Sequence, residues 1–150
     1  KLSPNSPCPC GRGAKYKKCC RPIHGGRPAD VPEQLMRARY VAYALGLADF
    51  VIDTTDPSGA QWEADRANWH DDIVTFSRST QFDGLTIVDS AQESADAGTV
   101  SFCAWLRQEG KDASFGEKSR FLRGSNGWLY VDGTALEAEV MATARRAKAT

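Results

Sequence analysis

The spacing of apolar residues changes along the chain from helical to alternating. From Glu33 onward, apolar side chains recur every three or four residues, which predicts an amphipathic helix with one buried face. A second helix is predicted at residues 48–53 and a third at about residues 60–78. The side chains predicted along one side of the third helix are Trp62, Arg66, Trp69 and Ile73.

Beyond Phe82 the chain has alternating and β-branched residues in segments that turn signals separate, a pattern typical of antiparallel strands. The predicted strands are residues 84–92, 99–109, 113–123 and 127–132. One face of the second strand carries Val100, Phe102, Ala104 and Leu106, and the other carries Ser101, Cys103, Trp105 and Arg107. The tail from Ala135 is predicted to be helix-prone or frayed. Helices followed by a meander of strands predict an α+β domain in which the helices cover one face of the sheet.

Prolines and glycines interrupt the first thirty residues. Pro7 and Pro9 flank Cys8, and Gly11 and Gly13 follow, so we expect no regular structure there and assign the fold of this segment to a bound metal. Further prolines at positions 22, 28 and 32 indicate a linker and a domain boundary near residues 24–31. We therefore predict an N-terminal segment at residues 1–28 and an α+β domain at residues 29–150.

Four of the five cysteines lie within thirteen positions, at Cys8, Cys10, Cys19 and Cys20. Four thiolates complete a tetrahedron around Zn²⁺ without leaving a position for water, so the pattern predicts a closed structural zinc site and not zinc catalysis. Clustered cysteines in a reducing compartment favour a metal over disulfides. We expect the turn at residues 11–13 to aim backbone amides at the thiolates. His24 is expected to be a linker residue and not a ligand.

The net charge of zero, from 19 bases and 19 acids, conceals an asymmetry. Residues 1–28 carry seven bases and no acid, so the rest of the chain carries twelve bases against nineteen acids. Such a basic segment is suited to phosphates or an acidic protein surface, although a merely solvated cationic segment has the same composition. The bases predicted to contact a partner are Arg12, Lys15, Lys17, Lys18 and Arg21.

No apolar run has the roughly 20 residues of a membrane-spanning helix, and the N-terminus has no apolar stretch of a secretory signal. We therefore expect a cytoplasmic protein that does not insert into a membrane.

Two resemblances make these predictions more specific. The segment CPCGRGAKYKKCC, residues 8–20, resembles the SEC-C motif, a zinc-binding element named for its place at the C-terminus of the SecA translocation ATPase. Segments at residues 32–40, 102–104, 117–121 and 127–133 resemble the YchJ-like bacterial proteins. This resemblance implies a zinc knuckle (residues 1–28) followed by a nuclear transport factor 2-like (NTF2-like) cone of helices on a curved antiparallel sheet. It implies no settled activity.

Glu117 is one candidate for chemistry inside the cone. Alternation places Glu117, Ser119 and Phe121 on one face of their strand, and we expect Glu117 to form a structural ion pair with Arg37 or Arg39. In the YchJ-like pattern a histidine usually precedes this glutamate. Its replacement by glycine, at position 116, weakens any acid–base role.

His70 is the other candidate, because two carboxylates follow it at Asp71 and Asp72. A histidine beside a carboxylate can act as a general base. Adjacent residues on a helix point in different directions, however, so we expect these three residues to form a solvated helix face.

The sequence as a whole favours a zinc-binding, non-catalytic interaction protein whose basic knuckle docks a protein or ribonucleoprotein partner. By analogy with SecA, the ribosome or the export machinery are the partners to test. The alternative is a small-molecule binder or enzyme that uses a pocket of the cone domain. Direct nucleic-acid binding ranks third and predicts a strongly salt-dependent affinity.

Overall fold

Five helices and one antiparallel sheet make up residues 2–149, which the computed structural model describes. The helices are α1 (Cys20–His24), α2 (Pro32–Leu45), α3 (Ala48–Asp53), α4 (Arg66–Arg78) and α5 (Ala138–Lys148), and a 3₁₀ turn at Tyr16–Lys18 precedes them. The strands are β1 (Gln81–Gln92), β2 (Ala97–Gln108), β3 (Lys111–Asp112), β4 (Phe115–Gly124) and β5 (Gly127–Ala135). Lys1 and Thr150, at the outer ends of the two predicted domains, lie outside the described residues. The α+β fold class is confirmed.

Helix α2 is the central helix of the molecule. Pro32 occupies its first turn, where the missing amide hydrogen is not needed. Gly46 ends it at φ 73°, the left-handed conformation that favours glycine. Besides Pro32, the buried residues of the helix are Leu35, Met36, Ala38, Arg39, Tyr40, Val41 and Ala42. The helix predicted from Glu33 is thus confirmed, but the prediction that it buries one face is wrong, because the five consecutive residues 38–42 are all buried and span a full turn.

Helix α4 begins later than the predicted start near residue 60. Asp65 caps the helix, because its side chain accepts a hydrogen bond of 3.0 Å from the backbone amide of Asn68. Trp62 therefore lies outside the helix. Its ring still packs edge-on against Trp69, with 5.4 Å between the ring centroids.

The sheet has the strand order β1-β2-β4-β5, with antiparallel neighbours, and the short β3 pairs with the end of β2. The four predicted strands correspond to β1, β2, β4 and β5. The register shifts between Phe82 and Gly84 in β1 and between Arg120 and Phe121 in β4. Such bulges bend and twist a strand, as a curved sheet requires.

The two faces of β2 carry the residues that the alternation predicted, and different parts of the chain bury them. The face that carries Phe102 and Leu106 belongs to the main core with α2. The opposite face carries Cys103 and Trp105, which pack against α5. The C-terminal tail, predicted as helix-prone or frayed, is therefore a helix on the outer face of the sheet, so helices pack on both sheet faces and not on one face as predicted. None of the helices within residues 2–149 has the length and apolar character needed to cross a membrane.

Candidate functional site

The four N-terminal cysteines come together in space. The Sγ atoms of Cys8, Cys10, Cys19 and Cys20 all lie within 4.8 Å of one another. The Cys10 and Cys19 sulfurs are 3.5 Å apart, far beyond the roughly 2.05 Å of a disulfide bond. Four sulfurs around an ion at about 2.3 Å are separated by roughly 3.8 Å, so only small movements are needed to close a tetrahedron. The cluster is compatible with metal binding.

A short hairpin positions the first cysteine pair. The backbone amide of Cys8 donates to the carbonyl of Ala14 at 2.9 Å, next to an isolated antiparallel bridge. Between them, Gly11 and Gly13 have φ angles of 79° and 102°, where a side chain would introduce strain. This pairing is a backbone contribution that the sequence prediction, which assigned the fold of the segment to the metal alone, did not include.

Hydrogen bonds within the cluster favour the thiolate form of Cys10 over those of Cys8 and Cys20. The pKa of Cys10 is lowered by hydrogen bonds from the thiols of Cys20 and Cys8, and also by the backbone amide of Arg12. This effect of the Arg12 amide agrees with the expected turn of backbone amides toward the thiolates. Hydrogen bonding to Cys10 raises the pKa of Cys8 to about 11 and raises the pKa of Cys20 as well. Four thiolates therefore need a cation to exist together at neutral pH.

The five bases predicted to bind a partner fall into two groups. Arg12 donates from Nε to the Cys19 sulfur at 3.4 Å, and this hydrogen bond raises the pKa of its guanidinium. Arg12 thus offsets thiolate charge. The other four are exposed and form no ion pair with any residue between 2 and 149: Lys15, Lys17, Lys18 and Arg21.

The knuckle packs directly on α2. Arg37 donates from Nη1 to the Cys10 carbonyl at 2.9 Å. His24 lies against the same helix, where its Nε2 must donate to the Ala38 carbonyl at 2.8 Å, because a carbonyl only accepts. Its Nδ1 then accepts from the Tyr16 hydroxyl at 2.7 Å, and burial lowers the pKa of the imidazole. His24 is therefore more than the linker residue we expected, since it joins the knuckle to α2.

A cavity of about 340 Å³ forms a second candidate site between α2, α4 and the inner face of the sheet. Aromatic pairs build its walls: Phe76 meets Phe82 edge-on, and Phe102 meets Phe115 in the same way, each with centroids 5.9 Å apart. Its polar lining comes from Arg39, Tyr40, Tyr43, Gln61, Glu117, Ser119 and Tyr130. The cavity is thus apolar along its walls, with polar groups of both charges in its lining.

Glu117 faces this cavity, as the strand alternation predicted, but the predicted ion pair is wrong. Its Oε2 accepts hydrogen bonds from the hydroxyls of Ser119, at 2.6 Å, and Tyr130, at 2.9 Å. Among the described residues, no lysine or arginine forms a salt bridge with this carboxylate. Two hydroxyl groups hold Glu117 in place instead.

Neither predicted arginine partner reaches Glu117, because each has nearer acceptors. Arg37 pairs with Glu33 at 3.0 Å on its own helix. Arg39 is buried, and its Nη1 donates to the Val51 carbonyl at 2.9 Å at the end of α3. Its guanidinium carbon lies 4.7 Å from the centroid of the Tyr130 ring. The aromatic ring is therefore a common neighbour of the two charges.

The other sequence candidate does not reach the cavity. His70 is half-buried on α4, and Asp71 and Asp72 are exposed, as expected for a solvated face. No histidine lines the cavity within residues 2–149. The structure therefore shows no histidine–carboxylate pair there.

Two protein-family models match the chain. The SEC-C motif matches residues 5–22, and the middle NTF2-like domain of YchJ matches residues 31–133, which is more than half of the chain. This chain belongs to the YchJ-like family. The family match agrees with the resemblance on which the NTF2-like fold was predicted.

Two solved structures resemble the YchJ-like chain over most of its length. The solution structure of a SEC-C motif containing protein from Rhodopseudomonas palustris is 35% identical, with a TM-score of 0.73, over 87% of this chain and 98% of that chain. The crystal structure of a SEC-C motif containing protein from Psychrobacter arcticus is 24% identical, with a TM-score of 0.72, over 90% of this chain and 85% of that one. The second similarity supports the fold alone.

Gly116 stands at the position where the YchJ-like resemblance led us to expect a histidine. A Cβ atom there would lie 2.9 Å from the Met141 side chain and 3.0 Å from that of Leu136. The C-terminal segment thus fills the space that a larger residue would need. Glu117, on the opposite face of the strand, has no histidine beside it at this position.

Proposed function

We propose that this YchJ-like protein is a zinc-binding, non-catalytic interaction protein whose knuckle docks an anionic protein or ribonucleoprotein partner. The observation that carries the proposal is the closed cluster of four cysteines with unpaired bases around it. The ion holds the knuckle in shape, and the bases provide the contact surface.

Zinc is the metal that best fits the ligand set. Four thiolates in tetrahedral arrangement are the donor set of structural zinc sites, and they leave no position for a substrate or a water molecule. Folding of the hairpin and binding of the ion are then one event. A reducing compartment such as the cytoplasm keeps the thiols available for the ion.

The surface charge of the knuckle supports docking to an anionic partner. Lys15, Lys17, Lys18 and Arg21 are exposed, and residues 1–28 contain no acid to neutralise them. Tyr16 is the only aromatic residue of the knuckle, and it is buried. Without an exposed aromatic ring for stacking on bases, charge recognition of a protein or ribonucleoprotein is favoured over direct single-strand binding.

The relation to SecA suggests the first partners to test. The SEC-C motif of this chain resembles the element at the C-terminus of SecA, so the ribosome and the export machinery are the candidate partners. Electrostatic docking of this kind weakens as salt rises, because exposed charges are screened.

Co-sedimentation with bacterial ribosomes at low salt tests the docking proposal. The knuckle variant combines Lys15→Gln, Lys17→Gln and Lys18→Gln. A matched control removes three exposed bases of the other domain, through Arg78→Gln, Lys111→Gln and Lys118→Gln.

We expect the wild-type protein and the control to sediment with ribosomes and the knuckle variant to remain in the supernatant. All three proteins should retain one zinc ion per chain, since no cysteine is changed. Equal sedimentation of the two variants would contradict docking through the knuckle. Absence of wild-type protein from the pellet would rule out the ribosome as the partner.

A further inference from the structure

We propose that the cavity binds a small, uncharged, ring-containing molecule whose polar head carries a hydrogen-bond donor and an acceptor side by side, as a carboxamide or a lactam does. The inference concerns a different part of the molecule from the docking surface and does not depend on it. Its basis is the arrangement of Glu117, Arg39 and Tyr130.

The walls of the cavity suit a flat apolar body. Its volume of about 340 Å³ lies in the usual range for small-molecule sites, about 300–1,000 Å³. Phe76, Phe82, Phe102 and Phe115 stand in two edge-on pairs, which fix the orientation of their rings. Aromatic rings in such pairs favour another ring as their neighbour.

Glu117 supplies a position for a hydrogen-bond donor. Both hydroxyl groups that hold it, from Ser119 and Tyr130, donate to the same oxygen, Oε2. No described residue donates to Oε1. A carboxylate oxygen accepts more than one hydrogen bond, so an N–H or O–H group of a ligand can bind there.

Arg39 supplies a position for an acceptor. All its hydrogen bonds to protein groups leave from Nη1, toward the Val51 carbonyl and the hydroxyls of Thr54 and Thr55. Within residues 2–149, no group accepts from its Nε or Nη2. A guanidinium has five N–H donors, so a carbonyl oxygen of a ligand can accept from those that remain.

The balance of charge in the cavity selects a neutral head. Glu117 is the only acid and Arg39 the only base in the lining among the described residues. Tyr130 contacts both, through its hydroxyl on the carboxylate and its ring under the guanidinium. A charged ligand is attracted by one of the two groups and repelled by the other. A neutral head with a donor and an acceptor satisfies both.

Gly133, on the strand next to Glu117, leaves the space that the Glu117 carboxylate occupies. A Cβ atom at Gly133 would overlap the carboxylate of Glu117, which lies across the neighbouring strand. The φ angle of Gly133 is not in the left-handed region, so the backbone does not require glycine there. The absence of a side chain at position 133 therefore leaves room for the Glu117 head group.

Three ligands of nearly equal shape test the proposal: benzamide, which is neutral, benzoate, which is an anion, and benzamidine, which is a cation. Their dissociation constants are measured by titration in two-dimensional NMR with the metal-loaded chain of residues 1–150. We expect benzamide to shift the resonances of Phe102 and Tyr130 and to bind about tenfold more tightly than either charged ligand, because only the charged ligands meet a like charge. The proposal would be overturned if benzoate or benzamidine bound as tightly as benzamide or more tightly, or if none of the three ligands bound.

Two variants extend the test. Glu117→Gln preserves shape but leaves Arg39 without its opposing charge, so benzoate should gain affinity and overtake benzamide. Gly133→Ala should displace the carboxylate and weaken benzamide binding, whereas Thr134→Ala, an exposed neighbour on the same strand, should not. An unchanged ligand preference in Glu117→Gln, or equal effects of the changes at 133 and 134, would contradict the assigned role of Glu117.

Discussion

The knuckle and the cavity are two sites built in opposite ways. The four cysteines lie within thirteen positions and meet through one hairpin turn. The cavity takes its lining from residues as far apart as Met36 and Tyr130, carried by two helices and four strands. The knuckle presents uncompensated positive charge at the surface, whereas the cavity holds one charge of each sign inside. Local spacing along the chain therefore determines the knuckle site, whereas the tertiary fold determines the cavity.

Helix α2 joins the two sites. Arg37 and Ala38 contact the knuckle, whereas Arg39 and Tyr40, next along the helix, line the cavity. In our account, metal binding stabilises the knuckle and apolar burial stabilises the cavity domain. Changes that remove the metal or the apolar burial should therefore destabilise one region and leave the other folded.

Removal of the ion should have the largest effect, and it should be confined to the knuckle. Bound zinc contributes about 10–16 kcal/mol to the folding of zinc-finger peptides. We expect Cys20→Ser to lose the ion and the amide protection of residues 5–22, while hydrogen exchange in β2 and β4 stays slow. The control is Cys103→Ala, because Cys103 lies outside the cluster, beneath α5. Full metal content in Cys20→Ser, or equal metal loss in both variants, would contradict the assignment.

Truncation of a buried side chain beside the cavity should destabilise the α+β domain and leave the metal site intact. Phe121 is 1% exposed, and Phe121→Ala should lower the free energy of unfolding by about 3–5 kcal/mol, because it leaves a void in the core. Urea denaturation measures this loss, and the metal content of the folded protein should stay at one ion per chain. Leu122→Ala is the matched control, since Leu122 is 37% exposed on the other face of the strand and should change stability by at most about 0.5 kcal/mol. Metal loss from folded Phe121→Ala would show that the two regions are not separable.

Loss of the His24 bridge should weaken the contact between the regions and leave each one folded. His24→Phe keeps an aromatic ring against Phe50 but removes the hydrogen bonds to Tyr16 and Ala38. The expected cost is about 1–3 kcal/mol, because buried polar groups lose their partners. Faster amide exchange in the knuckle at unchanged metal content is the expected result. His70→Phe, on the solvated face of α4, is the control, and an equal effect of both changes would contradict the bridging role.

The pH dependence of the same bridge should be the smallest effect. Burial lowers the pKa of His24, so the neutral imidazole stabilises the folded state. The contribution of His24 to the free energy of unfolding is fully present above its unfolded pKa of about 6.5. It is lost as the pH falls through the lower pKa of His24 in the folded protein. The stability difference between the wild-type protein and His24→Phe should therefore shrink between pH 7.5 and pH 5.5. A difference that grows on acidification would have the wrong sign.

Local features of the sequence were sufficient to predict the cysteine cluster and much of the fold. The cysteine spacing, the bounds of α3 and the alternation of β2 and β4 all depend on residues that are near one another in the chain. Alternation alone placed Glu117, Ser119 and Phe121 on one face of their strand, and this is the face that lines the cavity.

Features that depend on distant contacts were missed. The partners of Glu117 were predicted wrongly because Tyr130 approaches it from the neighbouring strand, and because Arg39 finds acceptors at the end of α3. The bridging role of His24 requires α2 to lie beside it. The start of α4 was predicted too early, because the residues before Asp65 also fit a helical pattern. A single capping residue, Asp65, sets the actual start.

X-ray absorption at the zinc edge of the purified protein is the sharpest test of the four-cysteine zinc site, because it reports the identity, number and distance of the ligands. We expect one zinc ion per chain with four sulfur ligands at about 2.3 Å and no oxygen or nitrogen ligand. Fewer than four sulfur ligands, a bound water molecule, or a protein that purifies without zinc and does not take it up would contradict this expectation.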